Sequence, residues 1–165
     1  MLSSVYNMAK QRCLAAANII VVGDIYDKFV NAFVEGTKKL RIGYELDESV
    51  DMGPLASKKG KEKVLYYIQR GVEKGAKLIL DGRDFKSEEY PNGYFLGPSV
   101  FVDVKEGMEI SKEEIFGPVA VILRAEDFDE AMDMSNKLAS YGNAASIFTE
   151  SGKYAREVRP QGEHG

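Results

Sequence analysis

SKEEIFGPVAVIL, residues 111–123, runs from a turn into a strand within one short stretch. Ser111 stands three residues before Glu114, the spacing of a capping box in which hydroxyl and carboxylate each close a backbone amide. Gly117-Pro118 then redirects the chain, and the β-branched run from Val119 to Leu123 reads as a strand. Runs of the same kind occur at Ile19 to Val22, Lys77 to Leu80, Ser99 to Val104 and Ala144 to Phe148. Between them the hydrophobic period changes. Ile25, Phe29, Val30, Phe33 and Val34 make one helical stripe, and Val64, Leu65, Ile68 and Val72 make another. Asp24 and Ser57 are the caps expected for these helices, and Gly75 supplies the left-handed residue that stops the second. A later helix starts at Asp127, with Glu130 completing its capping box and Phe128, Ala131 and Leu138 turned inward.

Strands alternating with helices predict an α/β fold: an open, mostly parallel sheet with helices on both faces, because parallel neighbours need crossovers that cover the sheet. The polar connection from Asp81 to Gly97 breaks the alternation. Its Asn92-Gly93 pair marks a tight turn, which leaves a hairpin or a lid-like excursion open. SGKYAREV reads as the opening of another helix, after which RPQGEHG has no hydrophobic period.

The chain has 165 residues, enough for one domain with a continuous core. Its net charge of -4, with both signs interspersed, gives no basic face for nucleic acid. One cysteine makes no internal disulfide and one histidine builds no zinc site, a usage that fits a reducing cytosol without a structural metal. No basic leader with an apolar run opens the chain, and no apolar stretch approaches the roughly 18 residues of a membrane span. These features predict a cytoplasmic protein.

The lone cysteine lies in NMAKQRCLAAAN, residues 7–18. Its residue type leaves two readings open. Beside Leu14 to Ala17, Cys13 suits a small buried core position. Flanked by Lys10 and Arg12, and set at the first turn of a helix, it would instead favour the thiolate and act as a nucleophile. His164, in the unpatterned tail, is not placed to serve it as a base. Glu114 likewise is either half of the capping box or, aimed outward before the strand, an acceptor for sugar hydroxyls with Phe116 as an apolar wall. No glycine-rich strand-to-helix loop is present to cradle phosphates.

QRC at 11–13, DMGPL at 51–55, GYFLGPSVF at 93–101, KEEIFGPV at 112–119 and YGNAASIFT at 141–149 together resemble the aldehyde dehydrogenase superfamily, in order and in separation. QRC and YGN bring the resemblance nearest to the semialdehyde dehydrogenases of the methylmalonate type. The resemblance implies NAD(P)-dependent oxidation of an aldehyde or semialdehyde. Cys13 would be the nucleophile, Glu114 would hold the nicotinamide ribose, and Phe116 would pack near the nicotinamide ring. A thiohemiacetal and then a thioester would form on Cys13, released by water or coenzyme A.

It also implies that residues 1–165 are a partial catalytic domain, without the cofactor-binding domain and the later catalytic segments. The isolated fragment would then be inactive as a dehydrogenase. Association with another chain, as a homo-oligomer or a complementing partner, and residual cysteine-dependent esterase activity are the alternatives. Within the match, Lys10 stands where the family usually has glycine. A lysine there is expected to crowd the turn or demand a different backbone angle.

Overall fold

Four strands carry the core: Asn18–Val22 (β1), Lys77–Leu80 (β2), Ser99–Val102 (β3) and Val119–Ala125 (β4). The computed structural model describes residues 1–105, 107–138, 141 and 144–161. The sheet order is β1-β4-β3-β2. β4 pairs in parallel with β1 and with β3, while β2 pairs antiparallel with β3, so two of the three pairings are parallel. This is the open, mostly parallel α/β sheet expected from the sequence. Val119 to Leu123 are buried without a break. Since successive side chains of a strand point to opposite faces, both faces of β4 are covered.

The antiparallel edge settles the connection from Asp81 to Gly97 as a long hairpin. Its tip turns at Tyr90 to Gly93, where the Gly93 amide donates to the Tyr90 carbonyl at 2.9 Å. The excursion folds back on itself, and Gly97 N–H reaches the Gly82 carbonyl at 2.9 Å.

Helix Leu2–Tyr6 (α1) opens the chain, and Tyr26–Lys38 (α2) follows β1. Phe33 is buried in α2, but Ile25 is 61% exposed. Asp24 is not the cap of α2: it lies in a 3-10 turn over Gly23–Ile25, and the N-cap residue is Ile25, with no side-chain cap. The 3-10 turn supplies its own geometry for entering the helix, which displaces the cap by one residue. Lys58–Glu73 (α3) is capped as its sequence predicts, Ser57 Oγ accepting from Gly60 N–H at 3.0 Å. Gly75 follows it at φ +92°, the left-handed region that glycine enters without cost. Val64 and Ile68 are wholly buried, whereas Val72 is 40% exposed and Gly71 takes the inward place.

Glu109–Lys112 (α4) is short, and Phe128–Lys137 (α5) follows β4. Asp127 caps α5 by accepting from Glu130 N–H at 2.9 Å. The Glu130 carboxylate returns to the Glu126 amide at 2.7 Å, one residue before the expected partner. Met132 and Leu138 are the buried residues of this segment, with Phe128 and Ala131 only half-buried. The expected strand over Ala144 to Phe148 does not form; these residues have irregular backbone and Phe148 is 74% exposed. The β-branched pattern there has no neighbouring ladder to join among the described residues. A final helix, Gly152–Gln161 (α6), matches the expected opening at SGKYAREV and continues into the stretch whose period lapses. His164 lies outside the described residues, as do Gly142 and Asn143 of the YGN motif. Among the described residues no helix is long and apolar enough to cross a membrane.

Candidate active site

Cys13 is exposed, which decides against its reading as a core residue. It does not stand at the start of a helix. It lies in a tight turn closed by Ala15 N–H donating to the Arg12 carbonyl at 3.1 Å, and β1 follows directly. The dipole argument for a thiolate therefore has no helix to rest on.

The turn is held by the three residues that precede the sulfur. Lys10 is buried, and its Nζ donates to the Val119 carbonyl at the first residue of β4. Gln11 Oε1 accepts from Ala56 N–H at 2.7 Å, just before the cap of α3. Arg12 reaches the other way, its terminal nitrogen donating to the Ser3 and Ser4 carbonyls of α1 at 3.3 Å. Its Nε is buried without a partner among the described residues. Each tie engages a different element, and none engages Cys13. Among the described residues the Cys13 N–H has no protein acceptor, so the amide next to the sulfur is available to a ligand oxygen.

The path into this turn is unusual. Met8, Ala9 and Lys10 have φ of +54°, +49° and +60°, a run of left-handed backbone without a glycine. L-residues there cost about 1 to 2 kcal/mol each. Lys10 thus takes the left-handed angle that glycine enters without cost, rather than the different angle expected of a lysine in that place, and its two predecessors share it.

The opposite wall comes from α4 and the connection to β4. Ser111 is not a cap: it is buried inside α4 and its hydroxyl donates to the Met108 carbonyl at 3.0 Å. The capping box expected with Glu114 does not form, because Glu113 already has extended backbone and ends the helix. Glu114 is held instead through its main chain, Lys63 Nζ donating to its carbonyl at 2.7 Å, and its side chain is exposed. Phe116 follows at φ +58°, half-buried. Gly117 lies so close to α3 that a Cβ there would meet Val64 Cγ2 at 2.2 Å. That close approach sets how near the wall stands to the core.

Cys13, Glu114 and Phe116, the candidates read from the sequence, line one cleft. Lys10, Arg12, Glu113 and Tyr141 line it with them. The two walls are tied together at their bases by Asn18 Nδ2, which donates to the Ser111 carbonyl at 2.9 Å. Burial pulls the Lys10 amine down to about 7. Tyr141 is pushed up to about 12, first by burial and then by the Glu114 and Glu113 carboxylates. Sequence reasoning did not single out Tyr141 or Glu113 for the site. Their only signal was membership of the YGN and KEEIF motifs, since neither falls on a periodic face.

The cleft holds about 30 Å³ of open space, against the roughly 300 to 1,000 Å³ of a complete small-molecule pocket. It is two walls of a larger site. Among the described residues no group of three or more His, Cys, Asp or Glu side chains could hold a metal ion.

A model described as the aldehyde dehydrogenase family matches residues 1–165. The chain is 42% identical over 165 residues to the mitochondrial acylating methylmalonate-semialdehyde dehydrogenase of Arabidopsis thaliana, covering 100% of this chain and 27% of the relative. It is 40% identical over 158 residues to malonate-semialdehyde dehydrogenase 1 of Oceanobacillus iheyensis, covering 96% of this chain and 32% of the relative. Among solved structures, betaine aldehyde dehydrogenase of Staphylococcus aureus in complex with NAD+ superposes with a TM-score of 0.95 at 30% identity, covering 99% of this chain and 32% of that one. The chain thus spans about a third of the length of the relatives it matches.

Proposed function

Since this chain belongs to the aldehyde dehydrogenase family along all 165 residues, we propose that it is part of the catalytic domain of a semialdehyde dehydrogenase, with Cys13 as the attacking sulfur. The observation that carries this reading is the exposure of Cys13 in a cleft shared with Glu114 and Phe116. The semialdehyde class rests on the names of the similar malonate- and methylmalonate-semialdehyde dehydrogenases.

The Cys13 thiolate adds to the carbonyl carbon of the aldehyde, and the carbonyl oxygen becomes the oxyanion of a thiohemiacetal. The unengaged Cys13 amide donates to that oxygen. NAD or NADP, when bound, supplies the hydride acceptor. Cys13 then carries a thioester, which water or coenzyme A releases as the acid or the acyl group. The residues present fit one side of a nicotinamide site. Glu114 presents an exposed carboxylate on a backbone fixed by Lys63, suited to ribose hydroxyls, and Phe116 presents a half-buried ring. No further wall of such a site is formed among the described residues.

An activated ester tests the nucleophile without a nicotinamide. Incubation with p-nitrophenyl acetate is expected to release nitrophenolate and leave an acyl group on Cys13, detected by mass spectrometry. Equal rates for the native chain and Cys13→Ser would overturn the assignment. Aldehyde-dependent formation of NAD(P)H by the isolated chain is expected to be absent, because losing a single oxyanion donor already costs about 100- to 1,000-fold.

One observation favours association with another chain. Tyr26, Val30 and Val34 of α2, with Ile79 and Val102 of the sheet, line an open groove of about 550 Å³ whose other lining residues are polar or charged. A complementing segment or a second copy of the chain would cover it. Light scattering that finds a monomer without dye-accessible apolar surface would dispose of this reading.

A further inference from the structure

We propose that Lys10 is a positioning residue for Cys13: anchored on the Val119 carbonyl, its amino group braces the turn carrying the sulfur against the strand that leads out of the opposite wall. This rests on the proposed function only for its meaning in catalysis; the brace itself is a matter of geometry. Lys10 is 5% exposed although lysine is almost never buried without a partner. Its backbone is left-handed at φ +60°, where glycine would be at ease. A residue unfavourable both in its main chain and in its burial is held there by what its side chain reaches. What it reaches is the start of β4, directly after Gly117-Pro118 and three residues beyond Phe116. Gln11 and Arg12 tie the same turn to α3 and to α1, so Lys10 alone of these three joins the sulfur's turn to β4.

The brace has two states. An ammonium donating to a carbonyl is roughly twice as strong as a neutral amine doing so, and burial places the change between them close to pH 7. The titratable groups that share the cleft are Cys13, Arg12, Glu113, Glu114 and Tyr141, with Tyr141 ionising far above this range. As pH rises through about 7, the brace loses its charge: its hydrogen bond to the Val119 carbonyl weakens while the cost of burying an ammonium is relieved, so the placement of the turn changes with the protonation state. The reactivity of the sulfur should therefore carry a second inflection, distinct from its own ionisation.

The chain has one cysteine, so alkylation by iodoacetamide reads Cys13 alone. The second-order rate is measured from pH 5.5 to 9.5 on the full chain and divided by the thiolate fraction taken from ultraviolet absorbance. In the native chain the corrected rate should change by about threefold across pH 7, the effect of one altered charge-assisted hydrogen bond. Lys10→Met should abolish this step. Lys10→Arg, charged throughout, should hold the value that the native chain shows at acid pH. A flat native profile, a step that survives in Lys10→Met, or a Lys10→Arg profile matching Lys10→Met would each overturn the proposal. Should Lys10→Met fail to fold by circular dichroism, Lys10→Arg decides alone: persistence of the step in that variant overturns it. Alkylation needs neither aldehyde nor nicotinamide. A flat profile would remove Lys10 and leave the nucleophile standing, whereas failure of the ester assay would do the reverse.

Discussion

The two walls of the cleft are built by different means. The wall that ends in β4 inherits its position from the core: Ile110 and Ile115 are buried, Gly117 presses on Val64, and the strand that follows lies in the middle of the sheet. The wall that carries Cys13 has no ladder of its own before β1. It is placed by left-handed backbone and by three side chains tied to β4, α3 and α1. The contrast teaches that one wall fails only when the fold fails. The other can be displaced while the fold survives.

The largest effect is expected where the first wall meets the core. Ile122→Ala in β4, at a fully buried position, should cost about 2 to 5 kcal/mol of stability in urea unfolding. Gly117→Ala should cost about 1 to 3 kcal/mol by overpacking against Val64. A neutral result for Gly117→Ala would mean that this wall yields more readily than its contacts imply.

On the second wall, Lys10 makes stability depend on pH. Its folded-state value of about 7 lies below its unfolded value of 10.5, so between these limits the unfolded chain binds the extra proton. Its contribution is complete above the unfolded value, falls as pH falls towards the folded one, and is flat below it. Stability should rise by at most about 1.4 kcal/mol per pH unit across that window relative to Lys10→Met, followed by chemical denaturation at several pH values. A native chain and Lys10→Met with parallel pH profiles would count against a buried titrating amine. The smallest expected change in stability is for Gln11→Ala, about 0.5 to 1.5 kcal/mol, since it removes one hydrogen bond near the surface. Its alkylation rate at Cys13 should change by a larger proportion than its stability. If both move together, the contrast between the walls fails.

The strands that form and the helices α2, α3 and α5 were legible because burial imposes a period, and Ser57, Gly75 and Asp127 act where their chemistry predicts. What failed was local chemistry overruled by neighbours. Ser111 and Glu114 have the spacing of a capping box, but α4 starts earlier and encloses Ser111. Asp24 has a good capping side chain, yet a 3-10 turn intervenes. Ala144 to Phe148 has strand composition without a strand beside it. Within the cleft, Cys13, Glu114 and Phe116 came from motif and residue chemistry. Gln11 and Lys10 as ties could not, because their partners lie 45 and 109 residues away and no period links them.

Three successive residues in mirror-image backbone, Met8, Ala9 and Lys10, stand immediately upstream of the QRC motif. Glycine at any of them would relieve about 1 to 2 kcal/mol. Gains in robustness are therefore concentrated at the doorstep of the reactive sulfur. A search for hardier variants and a search for better-presented thiols would compete for the same few codons.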